Sequence, residues 1–548
     1  MINIDFDNLN ENQSNLYNKI FRKNKKNYEI FLKKNLIQNN FFFLSNFLSK
    51  DIYSNLSYIG YCQIVFVEDQ MLFNTKKIKI IISNYYLYKN IKQNFDNNNR
   101  LKIICKNYWT TKIILYLKII FKFFFLMNFI FWQLLNRSNK RAKKIKKNFF
   151  INLYDTTFTY SVFKKNIFVD RYYENKLFKY KKNYLCPENL LFKKTSSCID
   201  ILSRKKINCL YRFDFLNFSD YLISLKKVIF TKFLSKTKFN KKDIKYLIFH
   251  DNLNNICNFN FFVGLLNFFF FANLKDHNIK ISNIYHKFEN QSAGKGFVLG
   301  SKNFFPKTNI IGICDYFINY HFAFSRVPLK YEVNKKLVPK KNILVNKRYL
   351  HPFKNHYKNF KIKFNSFRYK KYKFIKYEKI NHVNKKLNIN VFLPIQKNES
   401  IKIINQIITL KRSKKNNYEC LFYLKFHPNF DENFKKKYLN LTHRNIFICN
   451  ERFEKAMKRS HFNIIGASTT SIESILYSRL VLCPINSFFI YDSPLINLVP
   501  KKLYSMFFNS DDLQKKIDLY ANLLSNKKSI MSLQKSFSNA QKIIIKDL

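Results

Sequence analysis

The stretch NIIGASTTSIESILYSRLVLCP, Asn463 to Pro484, holds one of only seven glycines in 548 residues. An apolar run leads into Gly466, four hydroxyl residues follow from Ser468 to Ser471, and a helix-like pattern then passes into a second apolar run ending at Pro484. Strand, tight loop, helix, strand is the grammar of a parallel α/β layer. Small residues let a backbone approach a ligand closely, and N–H groups with hydroxyls at a helix start favour an anion. The same residues also read as an ordinary cap, because Thr470-Ser471-Ile472-Glu473 is a capping box with Thr470 as N-cap and Glu473 at N3. A cap accounts for Thr470 and Glu473 and leaves Gly466, Ser468 and Thr469 without a reason.

Working outward, LNINVFLPI (Leu387 to Ile395) alternates as a strand and ESIKIINQIITLKRSKK follows as a helix. ECLFYLKFHPN (Glu419 to Asn429) is an apolar strand ending in His427-Pro428; NIFICN, the opening stretch and SFFIYDSP come after it. Strand, helix, strand, strand, helix, strand is the order of a nucleotide-binding half-domain, in which ligands sit at the carboxyl ends of strands. Pro428 cannot continue a central strand and biases His427 toward an extended conformation, which fixes the imidazole at the mouth of the sheet.

Upstream, FFINLYD (Phe149 to Asp155) reads as a strand ending in an acidic loop, and YLIFHD (Tyr246 to Asp251) repeats that pattern. FFVGLLNFFFFANL (Phe261 to Leu274) is short for a membrane span and reads as a core helix; NIYHKFEN (Asn283 to Asn290) is a further strand. Five of the seven glycines lie between Gly264 and Gly312 and nine of the ten prolines lie after residue 300, so turn chemistry is expected there. Lys340 to Lys386 is rich in lysine and aromatic residues and reads as a linker or insertion, with base stacking as the alternative.

The chain carries 98 Lys+Arg against 34 Asp+Glu, a formal charge of +64, and only 15 of the 98 are arginine. Lys, Asn, Ile, Phe and Tyr dominate together while Gly, Pro, Ala and Trp are scarce, the pattern of an AT-rich coding bias. A basic surface favours polyanions, whether nucleic acid, anionic headgroups or nucleotide-linked substrates. Neither a zinc-finger spacing nor an RNP-like motif is found, which argues against specific nucleic-acid binding. Ten cysteines without a CxxC pair indicate neither a zinc site nor a disulfide framework and fit a reducing, cytoplasmic setting. The polar, acidic start MINIDFDNLNENQ lacks the features of a secretory signal.

Ile113 to Leu135 is a 23-residue apolar segment interrupted by Lys118 and Lys122. On a helix these lysines fall on one stripe with Gln133 and Asn136, and the basic run NRSNKRAKKIKKN follows (Asn136 to Asn148). Three readings stay open: a helix lying in the interface of an anionic membrane, a spanning helix, and a buried helix followed by a solvated linker.

Strand, His-Pro, about 40 residues, strand, Gly-x-Ser-Thr-Thr, helix with Glu, strand: this order resembles the C-terminal half of GT-B-like enzymes of surface and capsular polysaccharide biosynthesis, with motifs related to bacterial polysialyltransferases and CDP-glycerol glycerophosphotransferases. YHKFENQSAGKGFVLGSKNFFPKTNIIG (Tyr285 to Gly312) is similar to the central region of surface-carbohydrate biosynthesis proteins, and the resemblance covers residues 280 to 500. It implies an α/β, GT-B-like fold, two Rossmann-like domains facing a cleft plus an N-terminal extension. The expected divisions are an α/β extension (1–110), the apolar helix and basic linker (111–148), an acceptor domain (149–339), a basic linker or insertion (340–386) and a nucleotide-donor domain (387–548) whose terminal helices, Asp511 to Ile545, return across the domains.

By the same resemblance His427 and Pro428 contact the donor phosphate or leaving nucleotide, and Gly466, Ser468, Thr469 and Thr470 hold phosphate. Glu473 reaches the donor ribose, Glu289 is the general base, and Lys295 with Gly296 binds an anionic group. The expected substrates are a nucleotide-sugar donor and a glycan or lipid-linked acceptor, with peripheral contact to the anionic inner face of the cytoplasmic membrane. No cofactor and no metal is expected, since no Asp-x-Asp pair is placed for Mg²⁺. Two features depart from the family pattern: its acidic motif of two carboxylates and a glycine is not evident, and Ser478 replaces a glycine, a change expected only to tighten packing. The alternatives are polyol-phosphate transfer of the teichoic-acid type and a non-catalytic, membrane-associated polyanion-binding scaffold.

Overall fold

Strand β1 (Ile2–Asp5) pairs in parallel with β2 (Ile78–Ile82), and β2 with β3 (Leu101–Cys105). They open a computed structural model that describes residues 1–35, 44, 56–96, 98–143, 145, 150–156, 173, 177, 180–188, 195–231, 234–314, 328, 330–345, 361–364, 379–383, 385–410, 418–427, 430, 432–439, 445–486 and 489–546. Helix α1 (Glu11–Lys34) begins at a capping box in which Gln13 N–H donates to the Asn10 side chain and Asn10 N–H to Gln13. It packs on α2 (Leu56–Phe73), whose first two N–H groups, Leu56 and Ser57, donate to the Asp251 carboxylate at 2.8 Å each. Helices α3 (Tyr85–Phe95) and α4 (Tyr108–Asn136) complete this layer.

After α5 (Asn139–Lys143) comes a second sheet built from β4 (Phe150–Thr156), β5 (Asn183–Pro187), β8 (Lys280–Lys287), β9 (Asn309–Cys314), β10 (Lys341–Leu344) and β11 (Lys361–Phe364). Between β5 and β8 lie α6 (Thr195–Arg204), α7 (Phe218–Phe230), a hairpin of β6 (Lys238–Phe239) and β7 (Lys242–Asp243), α8 (Lys245–Asn255) and α9 (Phe259–Asp276). Helix α10 (Ser292–Phe304) joins β8 to β9, and α11 (Lys330–Asn334) precedes β10. The strand order is β11-β10-β9-β8-β4-β5, with parallel pairing from β5 to β10. Chain order changes direction between β4 and β8.

A third sheet contains β12 (Lys386–Phe392), β13 (Glu419–Lys425), β14 (Ile446–Ile448), β15 (Phe462–Ile465), β16 (Leu480–Pro484) and β17 (Tyr504–Phe507). Its helices are α12 (Lys397–Ile408), α13 (Glu432–Leu439), α14 (Phe453–Arg459), α15 (Thr470–Leu476), α16 (Ser510–Ser525) and α17 (Lys527–Lys546). All pairs are parallel in the order β14-β13-β12-β15-β16-β17, the 3-2-1-4-5-6 arrangement of a Rossmann sheet. The chain forms two compact units, one carrying the elements through β11 and the other those from β12 on. Each has its own Rossmann-like parallel sheet, which makes the fold α/β.

Several expectations are corrected. Tyr246 to Asp251 is helical: Leu247, Ile248, Asp251 and Asn255 are the buried positions, a spacing of a helix face that its consecutive apolar residues disguised as a strand. The 340–386 segment is more than a linker, because β10 and β11 extend the sheet of the preceding unit. SFFIYDSP contributes no strand among its described residues; the edge strand is β17. Helices α16 and α17 pack on their own unit's core, where the Gln541 amide donates to the last carbonyls of α15, Ile475 and Leu476, at 3.1 Å each.

The five glycines from Gly264 to Gly312 are not turn residues either: Gly264 lies within α9, Gly294, Gly296 and Gly300 within α10, and Gly312 within β9. A Cβ on Gly296 would collide with the backbone carbonyl of Gly264, and one on Gly300 would meet Phe268 Cα at 2.9 Å. Glycine here lets α9 and α10 touch backbone to backbone.

Candidate functional site

In the Rossmann-ordered sheet Phe392 of β12 is level with Lys425 of β13 on one side and Ile465 of β15 on the other. Pro394, His427 and Gly466 therefore leave three adjacent strands at one carboxyl edge, one or two residues past that row. A Cβ on Gly466 would come within 3.1 to 3.2 Å of the Pro394 ring, so the loops after β12 and β15 approach more closely than a larger residue at 466 would permit without displacement. This edge is the switch point of the sheet, where α/β folds place ligands.

Gly466 is buried, Ala467 is exposed, and Ser468, Thr469, Thr470 and Glu473 are half-buried. The expected capping box is corrected. Thr469, with φ −61° and ψ −17°, is already helical and occupies the N-cap position without a side-chain cap bond. Thr470 is the first helical residue, and its N–H donates to Ser468 Oγ at 3.3 Å; Ser471 Oγ donates to the Ser468 carbonyl at 2.8 Å. Glu473 thus sits beyond N3. At the far end, Ser478 adopts φ 56°, the left-handed position where glycine is favoured, so its replacement of glycine is a backbone matter rather than one of packing.

His427 is half-buried, with its ring centroid 6.2 Å from that of Phe430, whose N–H donates to the His427 carbonyl. Pro428 lies outside the described residues. Sequence reasoning missed Lys402 of α12, which brings a half-buried ammonium to the same edge and donates to the Ile485 carbonyl just after β16 at 3.1 Å. Burial lowers its pKa, and Glu399 opposes the shift.

The other unit concentrates charge at its own switch point. Tyr154 of β4 and Tyr285 of β8 stack at 4.5 Å, and the next residues, Asp155 and His286, are both buried. The Asp155 carboxylate takes a bond from the Arg212 guanidinium on one oxygen and from His286 Nδ1 on the other, at 2.5 Å. Arg212 also donates to Asn267 Oδ1 at 2.7 Å. Burial pushes the Asp155 pKa up, but Arg212, the His286 hydrogen bond and Lys287 outweigh it and bring it down to about 2. The carboxylate is ionised, so the shared proton sits on Nδ1. Nε2 of His286 has no hydrogen-bond partner among the described residues and faces Gly294, where a Cβ would come within 3.0 Å. Beside them Lys287 pairs with Glu188 at 2.7 Å. Asp155 was expected in a loop and instead belongs to the strand.

Of the residues expected in this unit, Glu289 is half-buried two positions past the end of β8. Lys295 is 1% exposed and its ammonium is held by the buried Glu332, so it meets a partner inside the fold rather than an anion from solvent. Gly296 serves the close α9–α10 contact. Among the described residues no group of three or more His, Cys, Asp or Glu side chains is gathered as for a metal ion.

No protein-family model and no curated protein matches the chain. Among solved structures it is similar to UDP-GlcNAc 2-epimerase from Neisseria meningitidis bound to UDP-GlcNAc, with 12% identity over 72% of this chain and 98% of that one and a TM-score of 0.40. It is also similar to S. aureus MnaA with UDP, with 10% identity over 71% of this chain and 91% of that one and a TM-score of 0.38. TarM follows, with 12% identity over 73% of this chain and 97% of that one and a TM-score of 0.37.

Proposed function

We propose that the unit beginning at β12 binds the nucleotide of a nucleotide-activated sugar, and that the chain is a glycosyltransferase of surface-polysaccharide synthesis acting at the inner face of the cytoplasmic membrane. The observation that supports this most is the 3-2-1-4-5-6 strand order with Pro394, His427 and Gly466 leaving adjacent strands at its switch point. In this reading the loop from Gly466 to Thr470 lies along the donor phosphates, with Glu473 toward the ribose. His427 and Lys402 meet the charge that develops as the anomeric C–O bond to phosphate breaks. The acceptor hydroxyl oxygen, from a glycan or lipid-linked acceptor, forms the new bond to that carbon, and its proton passes to a carboxylate base. No metal is assigned a part in the transfer.

The test is thermal shift of the full chain with UDP, GDP, CDP and CMP, beside His427→Ala and Gly466→Val. A ligand at about 100 times its Kd adds roughly 2.7 kcal/mol to stability, enough to read as a shift of several degrees. One nucleotide is expected to stabilise the wild type and to lose that effect in Gly466→Val, whose side chain would press on Pro394. A response to CDP without turnover of any CDP-sugar would favour polyol-phosphate transfer. If no nucleotide stabilises the protein and His427→Ala changes nothing, the transferase reading falls.

A further inference from the structure

We propose that α4 is a monotopic membrane anchor: it lies in the headgroup plane of an anionic bilayer with its outward apolar face inserted and its polar edge turned into the protein. The inference is independent of the transferase reading. In the 18-residue apolar window of α4 only 22% of residues are buried. Ile113, Leu117, Phe121, Phe124, Phe131 and Leu135 are exposed, Phe121 to 71% and Phe124 to 65%. At roughly 100° per residue these six fall on one side of the helix, about opposite the stripe of Lys122 and Gln133. Of the polar stripe, Lys122 and Gln133 face inward, Lys122 Nζ donating to the backbone carbonyl of Asn254 at 2.5 Å and to its side-chain oxygen at 3.1 Å and Gln133 being buried, while Lys118 at the stripe's flank is exposed. Water would select the reverse arrangement. Interrupted by the exposed Asn128, an apolar face of this length still exceeds what a soluble surface ordinarily exposes.

The helix is fastened to one α/β unit along its whole length. Tyr108 packs edge-on against Tyr85 at 4.6 Å near its start, and Phe125 and Phe129 pack on Phe259 at 5.2 and 5.1 Å in the middle. Just past its end, Ser138 N–H and Arg141 Nε donate to the Asp214 carboxylate at 2.8 and 2.9 Å. A helix tied at both ends and the middle to polar α/β structure cannot cross about 30 Å of hydrocarbon, but it can lie flat on it. The occupant is set by charge: from residue 97 to residue 154 there is no Asp or Glu and there are 13 Lys or Arg, which suits anionic headgroups. Both tryptophans of the chain, Trp109 and Trp132, are on this helix, where interfacial aromatic residues belong. Phe218 and Leu222 on α7, whose N-cap Asn217 accepts a bond from Arg137, add exposed apolar surface beside its C-terminal end.

The experiment is flotation of the full chain with phosphatidylcholine vesicles, with and without 30 mol% phosphatidylglycerol, alongside tryptophan fluorescence with lipids brominated at shallow or deep acyl positions. Expected are co-flotation with the anionic vesicles, partial release by salt, a blue shift, and stronger quenching by shallow than by deep bromines. Phe121→Glu/Phe124→Glu, at exposed positions, is expected to lower partitioning at least tenfold with an unchanged thermal transition. Fluorescence of the unaltered protein keeps the test valid should that variant not fold. Failure to bind anionic vesicles, undiminished binding by the folded variant, or deep bromines quenching as strongly as shallow ones would overturn the proposal. So would a lipid-independent dimer that this variant dissolves, since a second copy would then be the occupant.

Discussion

The carboxyl edges of the two six-stranded sheets solve the same topological problem with opposite materials. Between β4 and β8 the switch point is filled by Asp155, Arg212 and His286, side chains that neutralise and orient one another away from water. Between β12 and β15 it is bounded by Pro394, Gly466 and short hydroxyl side chains, with the larger polar groups, His427 and Lys402, arriving from neighbouring elements. A charge network holds its edge through paired desolvated ions, which makes that edge costly to disturb one residue at a time. An edge of backbone and hydroxyls is cheap to disturb and sensitive to volume. The first arrangement is read through stability, the second through binding.

The largest effect is expected from Arg212→Met, which leaves the Asp155 carboxylate buried beside His286 without its guanidinium. Removing one partner of such a pair costs about 3–5 kcal/mol. Because two units make a single unfolding free energy ill-defined, the measurement is native-state hydrogen exchange of peptides covering β4 and β8. Their protection should fall by that amount while peptides from β12 and β15 keep theirs. Adding Asp155→Leu to the variant should restore part of the loss, since an apolar pair does not leave an orphaned charge. Equal loss of protection in both sheets would break the contrast.

Acid should act on the same edge with a smaller effect. The Asp155 carboxyl is held at about 2, below its ordinary value of 3.8, so the network's contribution is present above pH ~4 and is lost as pH falls through about 2. A carboxyl held at about 2 instead of 3.8 corresponds to about 2.5 kcal/mol. Exchange protection of β4 relative to β12, followed from pH 5 to pH 2, should decline by that order. In Asp155→Asn the relative decline should disappear. A decline of the same size in that variant would assign the acid sensitivity elsewhere.

How far the sequence could be read follows the same division. The sheet from β12 to β17 was legible because its strands are apolar runs closed by recognisable stops, His427-Pro428, Gly466 and Pro484, and register then brings those stops to one edge. The network at Asp155 was not legible, because its members are 57 and 74 residues apart in sequence and only the parallel pairing of β4 with β8 aligns two of them. One signal was present: in a chain with only 15 arginines, LYRFDFL encloses Arg212 and Asp214 in apolar residues, as buried ions are enclosed. Glycines 264, 296 and 300 misled because close helix packing and turns ask for the same residue, and α8 misled because three consecutive apolar residues fit a strand as well as a helix. The side of α4 that faces outward depended on Asn254, a partner 132 residues away.

The smallest effect tests the backbone edge itself. Ser478 holds the left-handed residue after α15, and the following N–H, of Arg479, closes the helix end by donating to the Ser474 carbonyl at 3.0 Å. A side chain in that conformation costs about 1–2 kcal/mol relative to glycine. Against this, the Ser478 hydroxyl accepts from the Gln541 amide at 3.0 Å, a neutral bond whose loss costs about 1 kcal/mol. Ser478→Gly should therefore shift the stability of this unit by less than about 1 kcal/mol, while Ser478→Ala, which keeps the strain and removes the acceptor, should destabilise it by about 1 kcal/mol. Exchange protection of the α15 and α17 peptides separates the two. If Ser478→Ala were neutral and Ser478→Gly strongly stabilising, the bond from Gln541 to Ser478 would contribute nothing, and the helix end would be held by its backbone and by the Gln541 bonds to the Ile475 and Leu476 carbonyls.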